Sequence, residues 1–248
     1  MTTLCLDFGN TRLKAALFIQ DKFLKEFLLK QDGLEDLIAI IDEYKPTKSI
    51  LSSVIDHNPA IEELLSNNTS FHKLSIATKI NFTTPVGKPE SIGADRLALA
   101  AAAVHFFPGK NNLIIALGSC ITYNFINQYN QFLGGSISPG MELRYKSMHD
   151  FTAKLPLITA VPETIGNNYP LVGYDTSTNM ISGVLNGIAY ELDGFINAYS
   201  NRYGNFNVLL TGGNSTYFAG QLKNKIFADC NFLYKGLYAL SETNNCEK

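Results

Sequence analysis

Cationic charge is scarce in this sequence and fully offset: 20 Lys and Arg stand against 22 Asp and Glu, for a formal net charge of −2. No basic field is left to gather nucleic acid or anionic lipid. A small-molecule partner is therefore expected, with no nucleic acid and no membrane. Long hydrophobic runs are missing too. No stretch approaches the roughly 18 apolar residues of a membrane span, and no charged segment followed by a short apolar one opens the chain. A cytoplasmic protein is expected. Cysteine is sparse: Cys5, Cys120, Cys230 and Cys246 lie far apart, without CxxC spacing or histidines at zinc-ligand distances. Their apolar neighbours predict buried thiols in a reducing compartment. His57, His72, His105 and His149 form no cluster and are expected to be structural or surface residues.

What is present is apolar material, 46% of 248 residues, enough to bury one large core or two half-sized ones without a metal or disulfide staple. Three apolar runs, Thr3–Asp7, Leu13–Ile19 and Phe23–Leu29, read as consecutive antiparallel strands. Gly33–Tyr44 carries apolar residues at Leu34, Leu37, Ile38 and Ile41, the spacing of one helical face. A strand over Ser49–Val54, a helix over Pro59–Leu65, an extended Phe71–Ile76, a loop over Thr83–Gly93 and an alanine-rich helix over Ala94–Phe106 follow. After Pro108-Gly109 the pattern restarts. Strands are expected over Asn112–Leu117, Ile121–Ile126 and Phe132–Ile137, helices over Met141–Phe151 and Asn179–Arg202, then a strand over Asn207–Leu210 and a glycine turn at Gly212-Gly213. Aligning the two hairpins by their glycines sets Gly9 over Gly118, Asn10 over Ser119 and Asp7 over Ala116, a repeat of supersecondary order. Two related α/β halves are expected, with ligands where loops of both converge.

Two segments carry residues suited to chemistry. In Asp7-Phe8-Gly9-Asn10-Thr11, glycine permits a positive φ and close backbone approach, so that successive N–H groups can point at phosphate oxygens. Asn10 and Thr11 add side-chain donors, and Lys14 on the next strand can neutralise phosphate charge. A carboxylate repels phosphate, so Asp7 would act through Mg²⁺ or its waters. Gly-Asn is equally a hairpin-turn dipeptide with Asp as a common flank, and these five residues leave both readings open. In "PESIGADRLALAAAA", from Pro89, Gly93 lets a loop approach a ligand, and Asp95 and Arg96 sit at the start of a helix whose dipole favours the carboxylate form. A capping Asp beside a solvated Arg is the plain alternative.

Nearly end to end, the chain resembles the type III pantothenate kinases, of the actin, Hsp70 and sugar-kinase superfamily. The resemblance rests on Asp7–Thr11, Gly93-Ala94-Asp95-Arg96, Gly118-Ser119-Cys120-Ile121-Thr122, "FLGGSISPGMEL" from Phe132, "TAKLP" from Thr152, "DTSTNMISGVLNG" from Asp175 and "LLTGGN" from Leu209, in the family's order. It implies an α/β fold of two ribonuclease-H-like (actin-like ATPase) lobes, mixed sheets flanked by helices, with the active site in the cleft. Residues 1–110 would form the lobe with the first phosphate loop and the base motif, and 111–248 the lobe with the second phosphate loop and the dimer contact. The implied reaction is ATP-dependent phosphorylation of pantothenate, the first step towards coenzyme A, by a homodimer with the substrate pocket at the subunit contact.

Residue by residue, Asp7, Phe8, Gly9, Asn10, Thr11, Arg12, Leu13 and Lys14 match the family's first phosphate loop, with Asp7 the Mg²⁺ partner through water. Ser119 matches its nucleotide-binding threonine, Asp95 its catalytic base, Gly93, Ala94, Asp95 and Arg96 its pantothenate-binding stretch, and Thr176 a substrate-contacting threonine. Three positions depart from the family. An aspartate that helps bind a monovalent cation, K⁺ or NH₄⁺, is Ala116 here; an aspartate further along is Asn124. A substrate-contacting tyrosine matches Val86 without gaps, or Phe82 with one. The first departure predicts less dependence on the ion than in the family, or weaker binding through backbone carbonyls and water. Another small-molecule kinase of the superfamily, acting on a sugar, shares the ATP loops. A silent nucleotide-binding regulatory protein is also compatible with the lost carboxylates, although Asp7 and Asp95 argue against silence.

Overall fold

Thr2–Phe8 (β1) carries an unbroken apolar run at Leu4, Cys5 and Leu6, so it needs cover on both faces and becomes the central strand of a five-stranded sheet. The computed structural model describes residues 1–30, 32–75, 77–85, 87, 89–159 and 169–244. The sheet order is β3-β2-β1-β4-β5. Strands β2 (Leu13–Ile19) and β3 (Lys22–Leu29) extend it antiparallel, whereas β4 (Lys48–Ser53) and β5 (Ser70–Lys73) extend it parallel.

Side chains alternate between the two faces. Leu4, Leu6, Phe8, Ala15, Leu17 and Leu51 share one core with Leu37, Ile40 and Ile41 of α1 (Leu34–Tyr44) and Ile61 and Leu65 of α2 (Pro59–Asn68). Each fully buried Leu, Ile or Phe contributes about 1.5–3 kcal/mol. Helix α2 starts where Asn58 accepts the Ala60 N–H at 3.0 Å and Pro59 takes the first turn. The opposite face, with Cys5, Asp7, Ala16 and Ile50, is covered by α3 (Ala94–Phe106) and the C-terminal helix, α7 (Phe232–Asn244).

Helix α3 is buried all round from Leu97 to Val104. Its alanines let α7 approach so closely that a Cβ on Gly236 would lie 2.1 Å from the Ala98 carbonyl oxygen. Phe18 of β2 stacks on Tyr238 at 4.9 Å, and the buried Lys48 of β4 pairs with Glu242 at 3.0 Å.

A second sheet, ordered β10-β9-β6-β7-β8, repeats that plan. Its centre is β6 (Asn112–Leu117), with β7 (Cys120–Ile126) antiparallel on one side and β9 (Asn207–Thr211) parallel on the other; β8 (Phe132–Pro139) and β10 (Phe227–Ala228) form the edges. Helices α4 (Met141–Asp150), α5 (Thr176–Tyr203) and α6 (Ser215–Ala219) belong with it. Helix α5 opens on a reciprocal capping box between Asp175 and Thr178. Three of its aromatic residues turn inward onto β7: Phe195 stacks on Tyr123 at 3.9 Å, and Tyr199 and Tyr203 stack on Phe125 at 5.1 and 4.2 Å. These aromatics are packing.

The chain divides into one unit of residues 1–109, 129–133 and 231 onward, and a second of 110–128 and 134–230. A single division at residue 110 differs from this grouping, because α7 returns to the first unit. The sequence reading assigned no element to α7, to α6 or to β10. Residues 76 and 86 and Cys246 lie outside the described residues, so the end of the extended Phe71–Ile76 run and the Val86 alternative do as well. One expectation is overturned: Cys5 is buried, but Cys120 and Cys230 are exposed. An apolar neighbour in a strand points to the opposite face, so the buried Ile121 turns Cys120 outward.

Candidate active site

In the first unit, β1 and β2 are joined by the four-residue loop Gly9–Arg12, between the paired Phe8 and Leu13. The Gly9 N–H donates to the Arg12 carbonyl at 3.1 Å. A two-residue hairpin turn of the Asn-Gly kind needs positive φ at both central residues. Neither Gly9 nor Asn10 has one, so the hairpin-dipeptide reading does not describe this loop. The expectation that Gly9 exploits a positive φ is corrected by the same observation. A Cβ at Gly9 would meet only the Arg12 oxygen, at an ordinary 3.6 Å, and nothing in the protein itself demands glycine there. Asn10, Thr11 and Arg12 are exposed, while Phe8 is buried edge-on to His57 and Leu13 packs on the core.

Asp7 ends β1 on the face covered by α3 and α7, paired across the strands with Lys14. Lys14 Nζ lies 2.9 Å from Glu26 Oε1. Burial pushes the Asp7 carboxyl up to about 7; the Asp95 charge raises it further, Lys14 opposes the rise and Glu26 adds to it. Asp7 and Asp95 thus feel one another within this unit. Burial also raises Asp95, against the Arg96 N–H and charge.

Gly93 caps α3, its carbonyl accepting the N–H groups of Arg96 and Leu97 at 3.0 and 3.1 Å. A Cβ on Gly93 would come within 2.6 Å of Asp95 Oδ1, so a side chain here would displace the carboxylate. The Arg96 guanidinium stacks 5.5 Å over the Phe132 ring, whose other neighbour is Phe82 at 6.1 Å. Of the two candidates for the family's tyrosine, Phe82 is therefore one aromatic ring away from Arg96.

Among the described residues no three His, Cys, Asp or Glu converge on a metal position. The donors fit Mg²⁺ in another way. Mg²⁺ keeps several waters and needs only one or two carboxylates besides substrate phosphates. Asp7 supplies one, and its neighbour in register on β4, Ser52, holds a fully buried hydroxyl with no hydrogen-bond partner.

The second unit builds a matching turn, Gly118-Ser119, with the Gly118 N–H on the Cys120 carbonyl at 3.1 Å. Two glycines clamp it. A Cβ on Gly140 would fall 2.2 Å from the Gly118 oxygen, and one on Gly212, at φ +95°, would fall 2.4 Å from the Leu117 oxygen. The Gly212 turn is thus demanded by backbone packing on the loop. Ala116 stands between Thr122 and Thr211 in register, and Asn124 donates to Thr122 Oγ1 at 3.0 Å. The Thr211 hydroxyl is buried and unpartnered, as Ser52 is beside Asp7. Both lost carboxylates therefore fall on one sheet face, which is lined with neutral hydroxyl and amide groups.

Thr176 opens α5 and lines a cavity of about 660 Å³ with Arg144, Ser147 and Asn179. Arg144 Nε donates to the Pro139 carbonyl at 2.8 Å, and its guanidinium pairs with Glu191, which also accepts from Tyr123 at 2.9 Å and Ser138 at 2.5 Å. Sequence reasoning missed Arg144, Glu26 and Tyr234. An isolated charge in a helix or edge strand carries no pattern, so no local signal marks them.

A family model described as type III pantothenate kinase matches residues 3–198. Proteins named type III pantothenate kinase are similar along almost the whole chain. That of Christiangramia forsetii is 40% identical over 98% of this chain and 99% of its own, and that of Flavobacterium johnsoniae 39% over 94% and 95%. Solved structures share the fold. A protein described as a Baf family transcriptional activator from Campylobacter jejuni has a TM-score of 0.60 at 22% identity, over 97% of this chain and 98% of its own. The 2-hydroxyisocaproyl-CoA dehydratase activator from Clostridium difficile, solved with ADPNP, has 0.54 at 12%, over 99% and 94%. With a matching family model across most of its length and relatives this close, the chain belongs to the type III pantothenate kinase family.

Proposed function

We propose that this protein transfers the γ-phosphoryl group of ATP to the primary hydroxyl of pantothenate, the first step of coenzyme A biosynthesis, as a cytoplasmic homodimer. The observation that carries the reading is the family match over nearly the whole chain, on a sequence that retains both Asp7 and Asp95. No helix among the described residues is long and apolar enough to cross a membrane.

Phosphoryl transfer depends on alignment and charge neutralisation, with a carboxylate placed to accept the hydroxyl proton. Asp95 is that base. Its raised pKa makes it a stronger proton acceptor than an ordinary carboxylate, and Gly93 leaves room for its side chain. Arg96, its plane set by Phe132, offers a fixed fork of donors to substrate oxygens beside the backbone of Gly93 and Ala94. Asn10, Thr11 and Arg12 with the backbone of Phe8, Gly9 and Leu13 bind phosphate, Lys14 neutralises it, and Ser119 serves the nucleotide. Mg²⁺, when bound at Asp7, neutralises charge on the phosphates. Thr176 reaches pantothenate from the neighbouring subunit, out of a mainly apolar cavity that it shares with Arg144, Ser147 and Asn179. Ala116 provides neither ligand nor charge for K⁺ or NH₄⁺, so the ion is dispensable here.

The test is ADP release by purified protein with Mg²⁺, ATP and either pantothenate or a panel of sugars, with phosphopantothenate identified by mass. Turnover with pantothenate alone is expected; turnover only with a sugar, or none with either, would overturn the reading.

A further inference from the structure

The cross-strand neighbour of Asp7 is Lys14, and opposed side chains on an antiparallel pair lie about 5 Å apart at Cβ. An ammonium so placed would by default close on the buried carboxylate. The structure shows another partner: Lys14 Nζ sits 2.9 Å from Glu26 Oε1, on the neighbouring strand β3. Burial pushes up the phenol of Tyr234, on α7, and its interaction with Glu26 adds to the rise. Tyr234 is only 3% exposed, and α7 is locked to the sheet through Tyr238 on Phe18 and Glu242 on Lys48.

Resting on the reading of Lys14 as a phosphate partner, we propose that Glu26, held by Tyr234, is a positioning residue that draws the Lys14 ammonium off Asp7. Asp7 then stays available to Mg²⁺, and Lys14 stays extended where phosphate charge arrives. The C-terminal helix, which carries none of the site residues legible in the sequence, thereby takes part in nucleotide binding. It does so through one hydroxyl. Without Glu26 the ammonium collapses onto Asp7, and Mg·ATP must break that pair before it binds.

The experiment is calorimetric titration of the full-length protein with Mg·ATP, no acceptor present, for the parent, Tyr234→Phe, Glu26→Gln, Lys14→Met and both double variants with Lys14→Met. Hydrogen bonds to charged groups and partly exposed ion pairs set the expected size: about 3- to 5-fold weaker binding for Tyr234→Phe and roughly 5- to 10-fold for Glu26→Gln. In the Lys14→Met background each should shift affinity less than about twofold, because the side chain being positioned is gone. Tyr234→Phe keeps the ring that fills its site, so its fold is preserved, as thermal unfolding will show.

Parent-like affinity in both single variants would overturn the proposal. Equal weakening with and without Lys14 would do so too, since it would mark a merely structural role. Because no acceptor is present, a protein that binds Mg·ATP yet fails to phosphorylate pantothenate would defeat the proposed reaction while leaving this measurement intact.

Discussion

Gly93 and Asp95 show how much of the site is settled by single residues. Asp95→Asn keeps shape and should lower turnover by about 10²- to 10⁴-fold with Mg·ATP binding retained. Gly93→Ala separates geometry from stability. Gly93 has φ −58°, which alanine tolerates, and the added Cβ would clash with the tip of Asp95 while meeting Val54 at an ordinary 3.8 Å. Turnover should therefore fall at least about tenfold, while Tm stays near that of the parent. Asp7 predicts a pH dependence. Its folded pKa of about 7 lies above its ordinary 3.8, so the folded state holds a proton that the unfolded chain has lost. Stability of the ligand-free protein should fall as pH rises from about 4 to 7 and then level. Asp7→Asn should reduce that fall, Asp95 still contributing its share, and exceed the parent by more than about 1 kcal/mol at pH 8, but not at pH 4, in chemical denaturation at both pH values. At the second loop, parent turnover should be indifferent to K⁺ and NH₄⁺ against Tris or Na⁺. Ala116→Asp should gain activation; saturable activation of the parent at low millimolar K⁺ would contradict this.

Among the elements, α7 was hidden and α5 was plain. Helix α5 announces itself by a long amphipathic pattern and ends its first turn in a capping box. Helix α7 has a glycine in its middle, which lowers helix propensity by about 1 kcal/mol and masks the pattern. The reason for that glycine lies in α3, whose Ala98 carbonyl leaves no room for a Cβ. Gly236→Ala should then destabilise by about 1–3 kcal/mol despite alanine's better propensity, and displace the helix that bears Asp95. Gly194→Ala, exposed in α5 with nothing within 4 Å of its Cβ, is the control and should stabilise by about 0.5–1 kcal/mol. Thermal or chemical unfolding of the two variants decides between an intrinsic and a packing effect.

At the scale of the whole molecule, the proposed homodimer predicts that active protein sediments at about twice 27.3 kDa, over an interface burying about 1,000 Å² or more. A 27 kDa species with full turnover would contradict it. Phe195, Tyr199 and Tyr203 of α5 do not supply that surface, since they are spent on β7. Exposed Tyr174 and Tyr190, near and on α5, are better candidates.

By itself, the sequence determined what is local. Apolar runs and the short loops between them mark both hairpins. Asp7 and Lys14 were each legible as residues suited to phosphate chemistry on successive strands, and the structure set them opposite one another. Motif order then named the family, and Asp95 with Arg96 was visible as a helix start. The tertiary structure alone decided which distant groups meet: Asp95 beside Asp7, Tyr234 on Glu26, Gly236 against Ala98, and Arg144 with Thr176. Hydrophobic periodicity records which face of an element is buried. The burial and Coulomb fields that raise a carboxyl's pKa, and the close approaches that require glycine, arise only when elements remote in sequence are packed together.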